Sequence, residues 1–203
     1  MRGLYAIIDP DRCGEHDPLS LARAVLAGGC CALQLRDKRC SDADYIERAR
    51  PMMAACRAAS VPFVVNDRVD VAAQLRPDGL HLGQEDAPIA EARQRIAGID
   101  IGISTHDLAQ VDAAIAAGAD LIGFGPVFGT VSKDDPDTTV GAELLAQACR
   151  RATIPVVAIG GITPDNLPQV IAANAHLAAV ISALATSPNP KTTAQKLHTA
   201  LQR

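Results

Sequence analysis

The chain has 203 residues, of which 48% are apolar and 2% aromatic, with a formal net charge of -4 at neutral pH. That length suits one barrel-sized α/β domain, whose core must be built from Ala, Val, Leu and Ile, as in parallel strands buried on both faces. Scarce aromatics exclude a stacking platform for single-stranded nucleic acid, and an acidic balance without a basic block excludes a polyphosphate-backbone partner.

Met1-Arg2-Gly3-Leu4-Tyr5 runs straight into the first apolar segment, 4–8, without the layout of a secretory signal. Further strand-like runs are expected at 32–35, 63–66, 79–82, 101–104, 121–125, 156–159 and 179–182. Segments of helical period lie between them, among them 41–59, 89–97, 108–117, 143–151 and 165–173, and a last helix is expected at 192–202. Such alternation predicts a parallel sheet. The joints Ala27-Gly28-Gly29-Cys30, Pro77-Asp78-Gly79, Ala117-Gly118-Ala119-Asp120 and Ala173-Asn174-Ala175-His176 each supply a small or left-handed-tolerant residue where a helix stops. This weak repeat favours closure, so the expected architecture is α/β, a single (β/α)8 TIM barrel spanning 1–203. An open doubly wound sheet is the rival. It would carry a Gly-rich fingerprint after its first strand, where this chain has Asp9-Pro10-Asp11-Arg12-Cys13-Gly14. One long irregular stretch, 129–140, reads as a mobile active-site loop.

No run is apolar for long enough to span a bilayer. None of the six cysteines forms a Cys-x-x-Cys pair, which argues against zinc, and a reducing, cytoplasmic setting is the expectation.

In a barrel of this kind the chemistry sits at the C-terminal ends of the strands. The second strand ends in Gln34-Leu35-Arg36-Asp37-Lys38, and alternation sets Gln34, Arg36 and Lys38 on one side. Two cations there suit an arriving anion; a solvated loop with ordinary salt bridges is the plainer alternative. The third strand ends in Asn66-Asp67-Arg68 and the fourth in His81-Leu82-Gly83-Gln84-Glu85-Asp86. Asp67 and Asp86 are hard oxygen ligands beside cations, which suits Mg²⁺ shared with substrate phosphates, although either could simply cap the following helix. Ser104 offers a hydroxyl, and His106 is either an acid/base group or a cap. Thr130, Ser132 and Lys133, entered from Gly129, read as a phosphate-closing lid or as polar surface. Gly160-Gly161 after the seventh strand and Ile181-Ser182 after the eighth occupy the customary phosphate site of this fold. One half of the mouth thus offers metal ligands and cations and the other a neutral phosphate cradle. Two phosphorylated substrates and a group transfer follow.

Taken together, the stretches 34–38, 61–70, 78–86, 101–106, 118–133, 155–162 and 180–183 resemble the thiamine-phosphate synthase family in order and spacing. The resemblance implies a Mg²⁺-dependent transferase. It would join 4-amino-2-methyl-5-(diphosphooxymethyl)pyrimidine to 4-methyl-5-(2-phosphooxyethyl)thiazole, with diphosphate departing before the thiazole nitrogen attacks. It further implies that Gln34, Arg36, Lys38, Asn66, Ser104 and Lys133 meet the pyrimidine diphosphate and that Asp67 and Asp86 hold Mg²⁺. Thr130 and Ser132 would meet the thiazole phosphate, with Gly161, Ile181 and Ser182 cradling it. Leu35, Asp37 and Val131 lie inside the same stretches and are counted with the substrate-binding residues. Arg36, Lys38, Lys133 and Ser104 form the expected catalytic set. The sixth loop departs from the family's Pro-Thr-x-Thr-Lys, reading Gly129-Thr130-Val131-Ser132-Lys133. A sister family, the thiazole tautomerases, has a His where this chain has Pro126 and lacks the counterparts of Asp67 and Asp86, so those residues favour the synthase. A non-catalytic barrel that senses thiazole phosphate predicts loss of the carboxylates, which are present. Partners are expected to be two small phosphorylated substrates, without nucleic acid or membrane, and a homo-oligomer is compatible with the sequence.

Overall fold

A computed structural model describes residues 2–129 and 138–202. Thr130, Val131, Ser132 and Lys133, and with them most of the expected active-site loop, lie outside the described residues.

Eight parallel strands close into a barrel in sequence order: β1 Gly3–Ile8, β2 Ala32–Leu35, β3 Phe63–Asn66, β4 Gly79–Leu82, β5 Asp100–Thr105, β6 Leu121–Phe124, β7 Val156–Ile159 and β8 Leu177–Val180. Closure is made by β1 on β8, with Gly3 opposite Leu177 and Ala6 opposite Val180. The helices are α1 Pro18–Gly28, α2 Asp42–Ala58, α3 Val69–Leu75, α4 Ile89–Arg95, α5 Leu108–Ala116, α6 Gly141–Arg151, α7 Leu167–Ala172, α8 Ser182–Ala185 and α9 Pro190–Leu201. Local chemistry starts several of them. Asp17, Ser41, Asp107 and Asn189 cap α1, α2, α5 and α9 by accepting a backbone N–H three residues on, and Pro18 and Pro190 open α1 and α9.

Strand alternation divides the core into two shells. Leu4, Ala6, Ile8, Leu33, Leu35, Val65, Leu80, Leu82, Ile101 and Ile122 face outward against the helices. Tyr5, Ile7, Ala32, Val64, Val157, Leu177 and Ala179 fill the barrel interior. Because both faces are buried, every strand reads as a near-continuous apolar run, which is why all eight are visible in the sequence. One is displaced: the eighth strand is expected at 179–182 and is found at Leu177–Val180. The backbone turns out of extended geometry at Ile181 (φ -113, ψ -77), and Ser182 begins α8. The apolar character of Ile181 hides that break. Among the described residues no helix is long and apolar enough to cross a membrane.

Candidate active site

The strand C-termini open onto a cavity of about 1080 Å³ whose lining comes from all eight strand ends. Inward alternation along β2 delivers Gln34 and Arg36 to its wall, with Lys38 at the rim; β3 delivers Asn66 and Asp67, β4 His81 and Asp86, and β5 Ser104. Gly161, Ile181 and Ser182 line the opposite side. Two expected members do not present a side chain to the cavity. The Leu35 side chain is fully buried in the outer shell, and Asp37 also turns outward, where it pairs with Arg48 of α2 and accepts the Cys40 N–H. Both occupy odd positions of a segment, β2 and the extension beyond it, whose even positions face the mouth, so neither lines the cavity with its side chain.

The cationic arc is already balanced by carboxylates. Arg36 pairs with Asp9, which is 3% exposed at the end of β1. Lys38 Nζ lies 3.2 Å from Asp67 Oδ2. Asp67 itself takes the left-handed backbone conformation (φ 62), a geometry that aspartate tolerates better than most residues. Asp86 Oδ2 accepts the Gly83 N–H at 2.6 Å. Burial raises the Asp86 pKa, and the neighbouring Asp67 carboxylate raises it further, while the Gly83 N–H and Lys38 oppose the rise. Neither residue is a helix cap: the N-cap positions of α3 and α4 are Arg68 and Pro88.

This donor set fits Mg²⁺. Two carboxylates from adjacent strand ends come close enough that Asp67 raises the proton affinity of Asp86. Among the described residues no group of three or more His, Cys, Asp or Glu side chains is arranged to hold a metal. Mg²⁺ characteristically takes one or two carboxylates and leaves its remaining positions to water and phosphate, so a full protein cage is not required.

Deeper in the barrel, Gln34 Nε2 donates to Tyr5 Oη at 3.0 Å, and His81 Nε2 lies 3.0 Å from Ser104 Oγ. Room for the imidazole is made by glycine: a Cβ at Gly102 would stand 2.6 Å from His81 Nδ1, and one at Gly123 would stand 3.2 Å from its Cε1. Burial lowers the His81 pKa to about 4, so the ring is neutral at pH 7. His106 serves as an anchor, its Nδ1 lying 2.5 Å from the Gly125 carbonyl and its backbone N–H donating to Gln110.

The sequence alone assigns no role to Tyr5, Asp9 or His81. Alternation along the first strand already sets Tyr5, Ile7 and Asp9 on one side, and the polar end of that series is the signal that was available. The Gly160-Gly161 pair has a second cause besides anion access. A Cβ at Gly161 would meet the Gly129 carbonyl oxygen at 2.2 Å, and one at Gly160 would meet Pro126 Cα at 2.5 Å. Val127 and Phe128 donate backbone N–H groups to Ile159 and Gly160 across the same seam.

The thiamine monophosphate synthase family model matches residues 4–184. A thiamine-phosphate synthase from Methanocella arvoryzae is 45% identical over 96% of this chain and 92% of its own. The chain belongs to the thiamine monophosphate synthase family. Another relative, the thiamine-phosphate synthase of Bacillus velezensis, is 39% identical over 92% of this chain and 85% of its own. The solved thiamine phosphate pyrophosphorylase from Pyrococcus furiosus matches with a TM-score of 0.87 at 34% identity, covering 96% of this chain and 93% of that one. Membership of the synthase family makes the chain an enzyme, and nothing in these relatives favours a tautomerase.

Proposed function

We propose that this chain condenses 4-amino-2-methyl-5-(diphosphooxymethyl)pyrimidine with 4-methyl-5-(2-phosphooxyethyl)thiazole, giving thiamine phosphate and diphosphate. The observation that carries the reading is the asymmetry of one cavity. Arg36, Lys38, Asp67 and Asp86 form a charged arc on β2–β4, and Gly161, Ile181 and Ser182 form a neutral arc across from it. A diphosphate suits the first and a monophosphate the second.

Mg²⁺ held by Asp67 and Asp86 would neutralise charge on the diphosphate and make it a better leaving group. Arg36 and Lys38 are placed to stabilise the negative charge that grows on the departing oxygens, and Lys133 is proposed to share that task. The aminopyrimidine ring stabilises the methylene cation left behind. Gln34 and Ser104 orient that ring, while the cradle at Gly161, Ile181 and Ser182 brings the thiazole nitrogen into line. The nitrogen attacks with its own lone pair, so no group need remove a proton, in keeping with a neutral His81. A cytoplasmic setting fits the cysteines, which are all free thiols. Incubation with both substrates and Mg²⁺, read by mass detection of thiamine phosphate, tests the reading. No product where an authentic synthase gives one would overturn it.

A further inference from the structure

Two residues outside the cavity tie its charged arc together. Tyr45, in the first turn of α2, is fully buried. Its hydroxyl donates to the Leu35 carbonyl at the end of β2 at 2.6 Å, and accepts the Asn66 N–H at the end of β3 at 3.2 Å. The Arg68 guanidinium stands over the Tyr45 ring, 5.1 Å from its centroid. Arg68 Nη2 donates to the carbonyls of Asp37 at 2.9 Å and Cys40 at 2.8 Å, and Nη1 pairs with Asp42. The backbone from Leu35 to Cys40 is thereby fixed at three carbonyls, on both sides of Arg36 and Lys38. All three are held by a tyrosine that also binds β3 and by an arginine adjacent to Asp67.

We propose that Tyr45 and Arg68 are positioning residues for the diphosphate site: they set the distance between the cations of the β2 loop and the carboxylate of β3. The inference rests on the function proposed above. Neither side chain lines the cavity, so neither touches substrate. Their hold acts on the backbone that carries Lys38 and Asp67, whose side chains pair at 3.2 Å. Arginine is needed because one planar group must reach two carbonyls, an aspartate and a ring face at once, which an ammonium cannot do. Tyrosine is needed because one hydroxyl must donate to one strand and accept from the next.

The test measures binding of magnesium diphosphate and of 4-methyl-5-(2-phosphooxyethyl)thiazole by titration calorimetry, for the unaltered chain, Arg68→Lys and Tyr45→Phe. Misplacement by a fraction of an ångström should weaken magnesium diphosphate by roughly tenfold or more in each variant. The thiazole phosphate, held on the far side of the barrel, should change by less than about twofold. In turnover, KM for the pyrimidine diphosphate should rise while KM for the thiazole phosphate stays constant. Equal weakening of both ligands would mean a general structural role and would overturn the inference, as would unchanged binding of both. If Tyr45→Phe does not fold, Arg68→Lys decides alone, since the Arg68 side chain is part-buried where that of Tyr45 is wholly buried. An unaltered chain that binds magnesium diphosphate while both variants bind it equally well removes the inference and leaves the proposed function. An unaltered chain that does not bind it at all removes both.

Discussion

Asp86 shows what the site costs at the scale of one residue. Its carboxyl is desolvated and faces Asp67, and both effects raise its pKa. A raised folded-state pKa means the folded protein holds that proton more tightly than the unfolded chain does, so ionising Asp86 at neutral pH opposes folding. A bound divalent cation would reverse the sign. Asp86→Asn should therefore leave the metal-free unfolding midpoint equal or higher, because the amide oxygen can still accept the Gly83 N–H. Mg²⁺-dependent turnover should fall by roughly 100-fold or more, as expected when a preorganised electrostatic group is lost. A lower midpoint with turnover retained would make Asp86 a structural acceptor only. Asp67→Ala should likewise abolish most turnover, while its loss as a partner for the half-exposed Lys38 costs about 1 kcal/mol or less of stability.

Strands and loops were legible to different degrees, and the difference is physical. A strand buried on both faces declares itself as an apolar run, whereas a loop is shaped by what crosses it. Gly160-Gly161 reads from sequence as an open anion cradle; the pair does line the cavity, but on the side where a Cβ would point the β6 loop packs against both residues. The eighth strand slipped by two residues because nothing in Ile181 signals that the chain turns there. Gly161→Ala tests the seam. The substitution meets both a left-handed backbone (φ 60) and the Gly129 carbonyl at 2.2 Å, so it should destabilise by about 3 kcal/mol or more. Gly118→Ala is the matched control: it has φ 81 and nothing within 4 Å, so only the backbone term of about 1–2 kcal/mol remains. Chemical denaturation of the pair isolates the packing contribution, and equal losses would mean that the seam yields. On the same rim, Ser182→Asp places a carboxylate where the monophosphate is proposed to lie. KM for the thiazole phosphate should rise by roughly tenfold or more through like-charge repulsion, with little change for the diphosphate substrate. Equal weakening of both would contradict a division of the mouth into two arcs.

Across the whole molecule, alternation placed Gln34, Arg36, Asn66 and Ser104 on the mouth, and the same rule, applied strictly, turns Leu35 and Asp37 away. What no local pattern could reveal is a contact made between neighbouring strands, such as Asp9 under Arg36 or His81 lying across Gly102 and Gly123 to reach Ser104. Those contacts have a global consequence in acid. His81 has its pKa lowered by burial to about 4, against an unfolded value of 6.5, and burial lowers His176 and His198 as well. The sign follows from proton counting. Between the two values the unfolded chain binds the proton and the folded chain does not, so stability rises with pH in that window and falls as pH drops from about 6.5 towards 4. Below about 4 the folded state also takes the proton, and this contribution levels off. Full expression of the His81 shift alone amounts to about 3 kcal/mol, with His176 and His198 adding in the same direction. Asp86 opposes the trend, since its raised pKa favours the folded state as protons are added. The net loss should therefore be smaller in the presence of Asp86 than in Asp86→Asn. Urea unfolding at intervals from pH 7.5 to 4 should show a midpoint that declines below pH 6.5. His81→Gln, which can keep a hydrogen bond to Ser104 without titrating, should flatten that decline even if it lowers stability at pH 7. A decline of the same steepness in His81→Gln would show that the barrel interior admits enough water to protonate the ring without unfolding.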